Sequence, residues 1–165
     1  EIEPDLISLR WSKLLVNAAV SAFSSSLGLP CGGILKTKRM QDLCLNILRE
    51  CIDVGHAEGV VFKPVNEYDI SGNLYAKSVE QIPDREIRIH EAFDPISNAV
   101  SSILQDLRKG KKTEIRAING IVCRQGRVHG IPTPYNDRVV QVIERIESGE
   151  LTCSTDNLAE YDDLH

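Results

Sequence analysis

The chain has 165 residues, 42 % hydrophobic and 26 % charged, a composition that suits one compact domain with a real core and excludes a disordered chain. A net charge of −5 argues against a nucleic-acid partner, and the short basic cluster Arg108, Lys109, Lys111 and Lys112 reads as a solvated helix end. The apolar stretches are interrupted too often to cross a membrane, no basic-then-apolar leader is visible, and Cys31, Cys44, Cys51, Cys123 and Cys153 follow no CxxC spacing. These features predict a cytoplasmic protein with reduced thiols rather than a disulfide framework or a zinc site.

In chain order the rhythm is helical. Ile7, Trp11, Leu14, Leu15, Ala18 and Ala22 recur at three and four residues, predicting a helix from about Asp5 to Leu27 that Gly28 and Pro30 stop. A second helix is predicted from Lys38 to Glu58, with Thr37 as cap, Gly59 as terminator, and Met40, Leu43, Cys44, Ile47 and Cys51 facing inward. Residues 60–93 are interrupted by Asn66, Ser71, Gly72, Pro83 and Asp84. Their pattern leaves helix and strand open.

Asp94-Pro95 then predicts a capped helix carrying Ile96, Val100, Ile103, Leu104 and Leu107 and ending at Gly110. Thr113 is predicted to cap a helix with Ile115, Ile118, Ile121, Val122 and Val128, closed by Gly130. Thr133-Pro134 opens the last, with Val139, Val140, Ile143 and Ile146. Residues 151–165 are polar and acidic and are predicted to form a loosely held tail after a helical domain of residues 1–150. No βαβ unit and no G-x-G-x-x-G after a strand is visible, so the fold class is all-α, five to six helices without a dinucleotide site of their own. The start at Glu1 rather than methionine suggests a domain excised or processed from a longer product.

Two constellations could carry chemistry. Lys13, Asn17 and Ser21 lie four residues apart and stack along one helix face, where an ammonium and an amide could hold a carbonyl or hydroxyl oxygen. A polar helix face is the plainer reading of that spacing. Ser102 and Glu114 stand at adjoining helix ends and could hydrogen-bond a hydroxylated ligand, although an acid at a helix start also complements the helix dipole. His56, His90, His129 and His165 have no partners spaced for a metal, Cys31 has no motif of a nucleophile, and no G-x-S-x-G elbow occurs.

Around these residues the sequence resembles a known family. Trp11-Ser12-Lys13-Leu14-Leu15-Val16-Asn17 resembles the opening helix of the C-terminal domain of ketopantoate reductases (2-dehydropantoate 2-reductases), and Leu29-Pro30-Cys31-Gly32-Gly33-Ile34-Leu35 the turn after it. Ser101–Leu107, Thr113-Glu114-Ile115, Ala117-Ile118-Asn119-Gly120 and His129-Gly130-Ile131-Pro132-Thr133-Pro134 are similar to its later blocks, in the same order. The resemblance implies a helical bundle like the C-terminal domain of 6-phosphogluconate dehydrogenase. It also implies an oxidoreductase of pantothenate biosynthesis that reduces 2-dehydropantoate with NADPH, the cofactor being held by an N-terminal Rossmann domain absent from this chain, so that the isolated domain is inactive.

By the same resemblance Lys13 is the catalytic proton donor, Asn17 orients the substrate, and Ser102 and Glu114 bind it. Ser21 is also placed among the substrate-binding residues. The family's best-known members carry asparagine where Ser21 and Cys31 stand, which leaves the choice of 2-oxo acid open. The alternatives are a reductase of another small 2-oxo acid and a non-catalytic helical module for dimerisation or ligand sensing. The partners implied are the small 2-oxo acid, the Rossmann domain and a second copy in a homodimer, with neither membrane nor nucleic acid.

Overall fold

In a computed structural model of the chain, residues 4–164 are described; they form a helical bundle, with no strand among them. The side chains of Pro4 and Asp5, and His165 altogether, lie outside what is described.

The predicted first helix is one rod made of unlike turns. Helix α1 spans Pro4–Val16, a π-helical turn spans Asn17–Ala22, and α2 completes the rod at Phe23–Ser26. Ala18, Ala19, Val20 and Ala22 are fully buried, and their small side chains let the rod lie close against α3 (Lys38–Ala57), α6 (Ser102–Arg108) and α8 (Pro134–Glu147). Trp11, Leu15, Ala18 and Ala22 of the predicted stripe are buried, whereas Ile7 is exposed.

The long α3 runs through the centre. Its predicted inward face, Met40, Leu43, Cys44, Ile47 and Cys51, is buried, Thr37 Oγ1 accepts the Met40 N–H at 3.2 Å, and Gly59 follows the helix with φ +76°. Residues 60–93 resolve into a tight turn at Val65–Tyr68 and two further helices, α4 (Ile70–Leu74) and α5 (Arg85–Phe93). Asp69 caps α4 by accepting the Gly72 N–H at 2.9 Å, and α5 buries Ile89 and Phe93, so its period is helical rather than extended.

The predicted helix from Asp94 to Leu107 is divided. Asp94–Ile96 makes a single 3-10 turn, and α6 begins only at Ser102, capped by Ser101 Oγ accepting the Leu104 N–H at 3.1 Å. The carbonyls of Ser97 and Ala99 instead accept the N–H groups of Gly32 and Cys31, at 2.8 and 2.9 Å, and those bonds take the segment out of any helix. Val100, predicted inward, is 41 % exposed as a result.

Helix α7 spans Asn119–His129, starting later than predicted because Thr113 turns its N–H and hydroxyl to Glu147 Oε1, at 2.8 and 2.7 Å. Val128, assigned to its apolar stripe, is 73 % exposed. Gly130 ends α7 with φ +67°.

The acidic tail is held, not loose. Residues Thr155–Tyr161 form a 3-10 helix, Tyr161 is 2 % exposed, and its ring meets Phe23 edge-on with centroids 5.3 Å apart. Its hydroxyl lies 3.0 Å from Ser26 Oγ, and the tail's carboxylates pair with arginines: Asp162 with Arg39, Asp163 with Arg138, Glu160 with Arg145. Composition alone cannot show that an aromatic slot and three arginines wait on the folded body.

Candidate functional site

Lys13 and Asn17 stand exposed where α1 passes into the π-helical turn. They keep the four-residue spacing that puts them on one face, but the wider turn beginning at Asn17 carries Ser21 off the line of a regular α-helix. Ser21 is half-buried instead, its Oγ 4.0 Å from the Sγ of buried Cys31. Burial pushes the Cys31 thiol up, so it is a neutral, weakly polar lining group rather than a nucleophile.

Ser102 is brought to this region by a chain of hydroxyls. Ser25 Oγ donates to the Ser21 carbonyl at 2.5 Å, so the 2.7 Å contact between Ser25 and Ser101 is a bond donated by Ser101. Ser101 in turn accepts the Leu104 N–H, and this sequence fastens the N-terminus of α6 to the π-helical turn. Ser102, the next residue, is exposed beside it.

Glu114 is exposed on the connection between α6 and α7, at the edge of a cleft it shares with Lys112, Thr113, Arg116, Glu144 and Glu147. A second, more apolar cleft runs along α1, with Ile7, Trp11 and Leu14 on one side and Ala117 and Ile121 on the other. Ala117 lines both, so the two clefts adjoin. Lys13, Asn17, Ser21 and Ser102 line neither cleft, and Glu114 is the one of the five predicted residues that lines either.

The exposed side chains among the predicted residues are an ammonium, an amide, a hydroxyl and a carboxylate, those of Lys13, Asn17, Ser102 and Glu114. No strand, and hence no strand–glycine loop–helix unit, occurs among the described residues. Sequence reasoning gave no individual role to Ser25, Ser101 or Asn119, whose hydrogen bonds fasten α6 and α7 to the π-helical turn. A run of serines at 24–26 inside a helix was the available signal, since serine there has to bond back to the helix's own carbonyls.

A helical bundle of this shape, carrying its polar groups on an open face, belongs to a known set of proteins. Residues 5–147 match the ketopantoate reductase PanE/ApbA C-terminal family, and the chain is a member of it. A 2-dehydropantoate 2-reductase of Caulobacter vibrioides is 32 % identical over 139 residues, 84 % of this chain and 41 % of the relative. The crystal structure of a PanE/ApbA family ketopantoate reductase from Ralstonia eutropha superposes with a TM-score of 0.66 at 29 % identity, over 87 % of this chain and 42 % of that one. A D-mandelate dehydrogenase in ternary complex with NADH and anilino(oxo)acetate shares the fold, with a TM-score of 0.64 at 24 % identity over 84 % of this chain and 51 % of its own. The chain thus spans about two fifths to a half of the length of the proteins it matches.

Proposed function

We propose that this chain is the substrate-binding and catalytic helical domain of an NADPH-dependent 2-dehydropantoate 2-reductase. The observation that carries the reading is the placement of Lys13 and Asn17: both are exposed, Asn17 opening the one π-helical turn among the described residues and Lys13 one helical turn before it, in a rod that packs on the helix end presenting Ser102. π-helical turns are rare and are frequently found at functional sites.

NADPH, bound by a separate Rossmann domain, is the hydride donor in this reading; the residues of this chain act on the other end of the reaction. The Lys13 ammonium stabilises the negative charge that develops on the ketone oxygen and donates the proton that makes it a hydroxyl. Asn17 orients the 2-oxo acid, and Ser102 and Glu114 hold its hydroxyl end, so that binding energy is spent on alignment. Residues 1–150 are the catalytic unit, with 151–165 as a strap across it, in a cytoplasmic enzyme that pairs with a second copy.

The experiment is Lys13→Ala in the reductase carrying its nucleotide-binding domain. Turnover should fall by about 10²–10⁴-fold, the range for loss of a general acid, with the helical circular dichroism unchanged. Undiminished turnover overturns the assignment. The 165-residue chain alone should bind no NADPH by titration calorimetry. One observation favours a second substrate: Ser21 beside the buried Cys31 thiol leaves this end of the site small and weakly polar, which suits a different small 2-oxo acid. A screen of 2-oxo acids ranked by kcat/KM decides between them.

A further inference from the structure

Asn119 opens α7 from inside the core, fully buried at 0 % exposure, five residues after Glu114. Its side-chain amide donates twice. One bond goes to the carbonyl of Ala18 at 3.3 Å, within the π-helical turn and next to Asn17; the other goes to Asn136 Oδ1 at 2.9 Å. Asn136 is itself fixed, its amide donating to the Ile47 carbonyl at 3.2 Å and to Glu50 Oε2 at 2.7 Å. The orientation of both amides is therefore set: turning Asn136 would aim its N–H group at Asn119's own donor.

The other half of the Asn119 amide shows what the residue is held for. Its Oδ1 is buried and has no hydrogen-bond partner among the described residues. A buried acceptor left unmatched is unfavourable, and native proteins rarely keep one without a reason. Flipping the amide would not relieve it, because Oδ1 would then face the oxygens of Ala18 and Asn136. Asn119 is kept for its two donors. A side chain that reaches into a helix's carbonyl ladder is also a recognised cause of a local change in helix geometry.

These bonds connect two parts of the site that are about a hundred positions apart in sequence. On one side is the turn that begins at Asn17; on the other is the short 3-10 segment Ile115–Ala117 that leads from Glu114 to Asn119. We infer that Asn119 is a positioning residue: by tying the Ala18 carbonyl to the start of α7 it fixes Asn17 and Glu114 relative to each other across the substrate surface, and it sets the π-helical form of the turn. The inference rests on the proposed roles of Lys13, Asn17 and Glu114.

The test is a double-mutant cycle in the reductase carrying its nucleotide-binding domain. Asn119→Asp keeps the shape but replaces the donors by an acceptor, and should lower kcat/KM for 2-dehydropantoate by about ten- to a hundredfold, the effect of misplacing a binding group by about an ångström, while KM for NADPH stays unchanged. In an Asn17→Ala background the same change should cost less than about threefold, because the group being positioned is gone. Equal cost in both backgrounds, with Lys13→Ala still inactivating, overturns the role of Asn119 and leaves the functional reading standing. Full turnover in Lys13→Ala overturns both. Should Asn119→Asp fail to fold, the wild-type 165-residue chain supplies the structural half. A through-hydrogen-bond scalar coupling from the Asn119 side-chain amide to the Ala18 carbonyl is expected by NMR, and its absence removes the proposed link.

Discussion

The carboxylate of Glu50, in the middle of α3, takes both amides of Asn136: Oε2 accepts the backbone N–H at 2.9 Å and the side-chain amide at 2.7 Å. With Oε1 accepting the Tyr135 N–H at 3.0 Å, a residue some 85 positions away caps α8 at the place where Thr133 was predicted to do so. Thr133 Oγ1 donates to Asp137 instead, at 3.0 Å.

Glu50 gives stability a pH dependence of unusual sign for a carboxylate. Burial pushes its carboxyl up to about 7, against the opposing pull of the bonds from Tyr135 and Asn136 and of the Arg49 charge. A folded-state value above the unfolded one means that the native protein holds this proton more tightly. Its contribution is therefore complete below the ordinary carboxylate range and is lost as pH rises through about 7. The difference is on the order of 3 kcal/mol if fully expressed. Melting temperature should be higher near pH ~5 than near pH ~8, and Glu50→Gln should remove most of that difference. An unchanged slope in Glu50→Gln would show that the slope arises elsewhere.

Tyr161 should be worth more than any acidic residue of the tail. Tyr161→Ala removes a buried ring packed on Phe23 and is expected to cost about 3–5 kcal/mol in denaturant unfolding. Tyr161→Phe keeps the ring and loses only the bond to Ser26, for about 1 kcal/mol. Asp162→Asn, at an exposed ion pair with Arg39, should change stability by less than about 1 kcal/mol. If the three variants unfold at the same midpoint as wild type, the tail is not docked in solution.

Gly32→Ala should damage the contact between the turn at Cys31–Leu35 and the segment that leads into α6. A Cβ there would stand 2.6 Å from the Ser97 Cβ and 2.8 Å from the carbonyl that accepts the Gly32 N–H, leaving no room without moving backbone. About 1–3 kcal/mol of destabilisation is expected from the overpacking. Chemical shifts should move on both sides of the contact, in residues 97–102 as well as 31–34. Changes confined to the glycine's own turn would contradict the contact.

Ser101→Ala removes a helix cap and the hydroxyl bridge to Ser25 together. Loss of the cap predicts about 1 kcal/mol, up to about 2. Ser25→Ala should be partly redundant with it, since both break one bridge, so the double variant is expected to lose less than the sum. Strict additivity in thermal or denaturant unfolding would mean that the two hydroxyls are not bonded to each other.

Much of the bundle was legible because it rests on local rules. The inward face of α3, its Thr37 cap and its terminating glycine follow from a regular period and from capping chemistry that operates within one turn. The same rules failed where a distant group took over a backbone bond. Asp94-Pro95 is a sound helix start, but Ser97 and Ala99 give their carbonyls to the turn at Cys31 and Gly32, and the helix begins at Ser102 instead, capped by Ser101. Residues 60–93 were illegible for a simpler reason. Their short elements bury only a few side chains each, such as Ile70, Leu74, Ile89 and Phe93, too few to reveal a period.

The candidate site divides in the same way. Lys13 and Asn17 share a helix face by arithmetic alone, and their resemblance to a family motif names a role for them. The π-helical turn, the hydroxyl chain through Ser25 and Ser101, and the buried amides of Asn119 and Asn136 belong to the tertiary structure. The bonds Ser25–Ser101, Asn119–Ala18 and Asn119–Asn136 join residues from 17 to about a hundred positions apart, and no spacing rule reaches that far. Sequence by itself determined that this chain is helical and which family it belongs to, and it nominated the side chains proposed to carry the chemistry. The tertiary structure decided how those side chains are held, because the satisfaction of buried polar groups is settled only once distant segments meet.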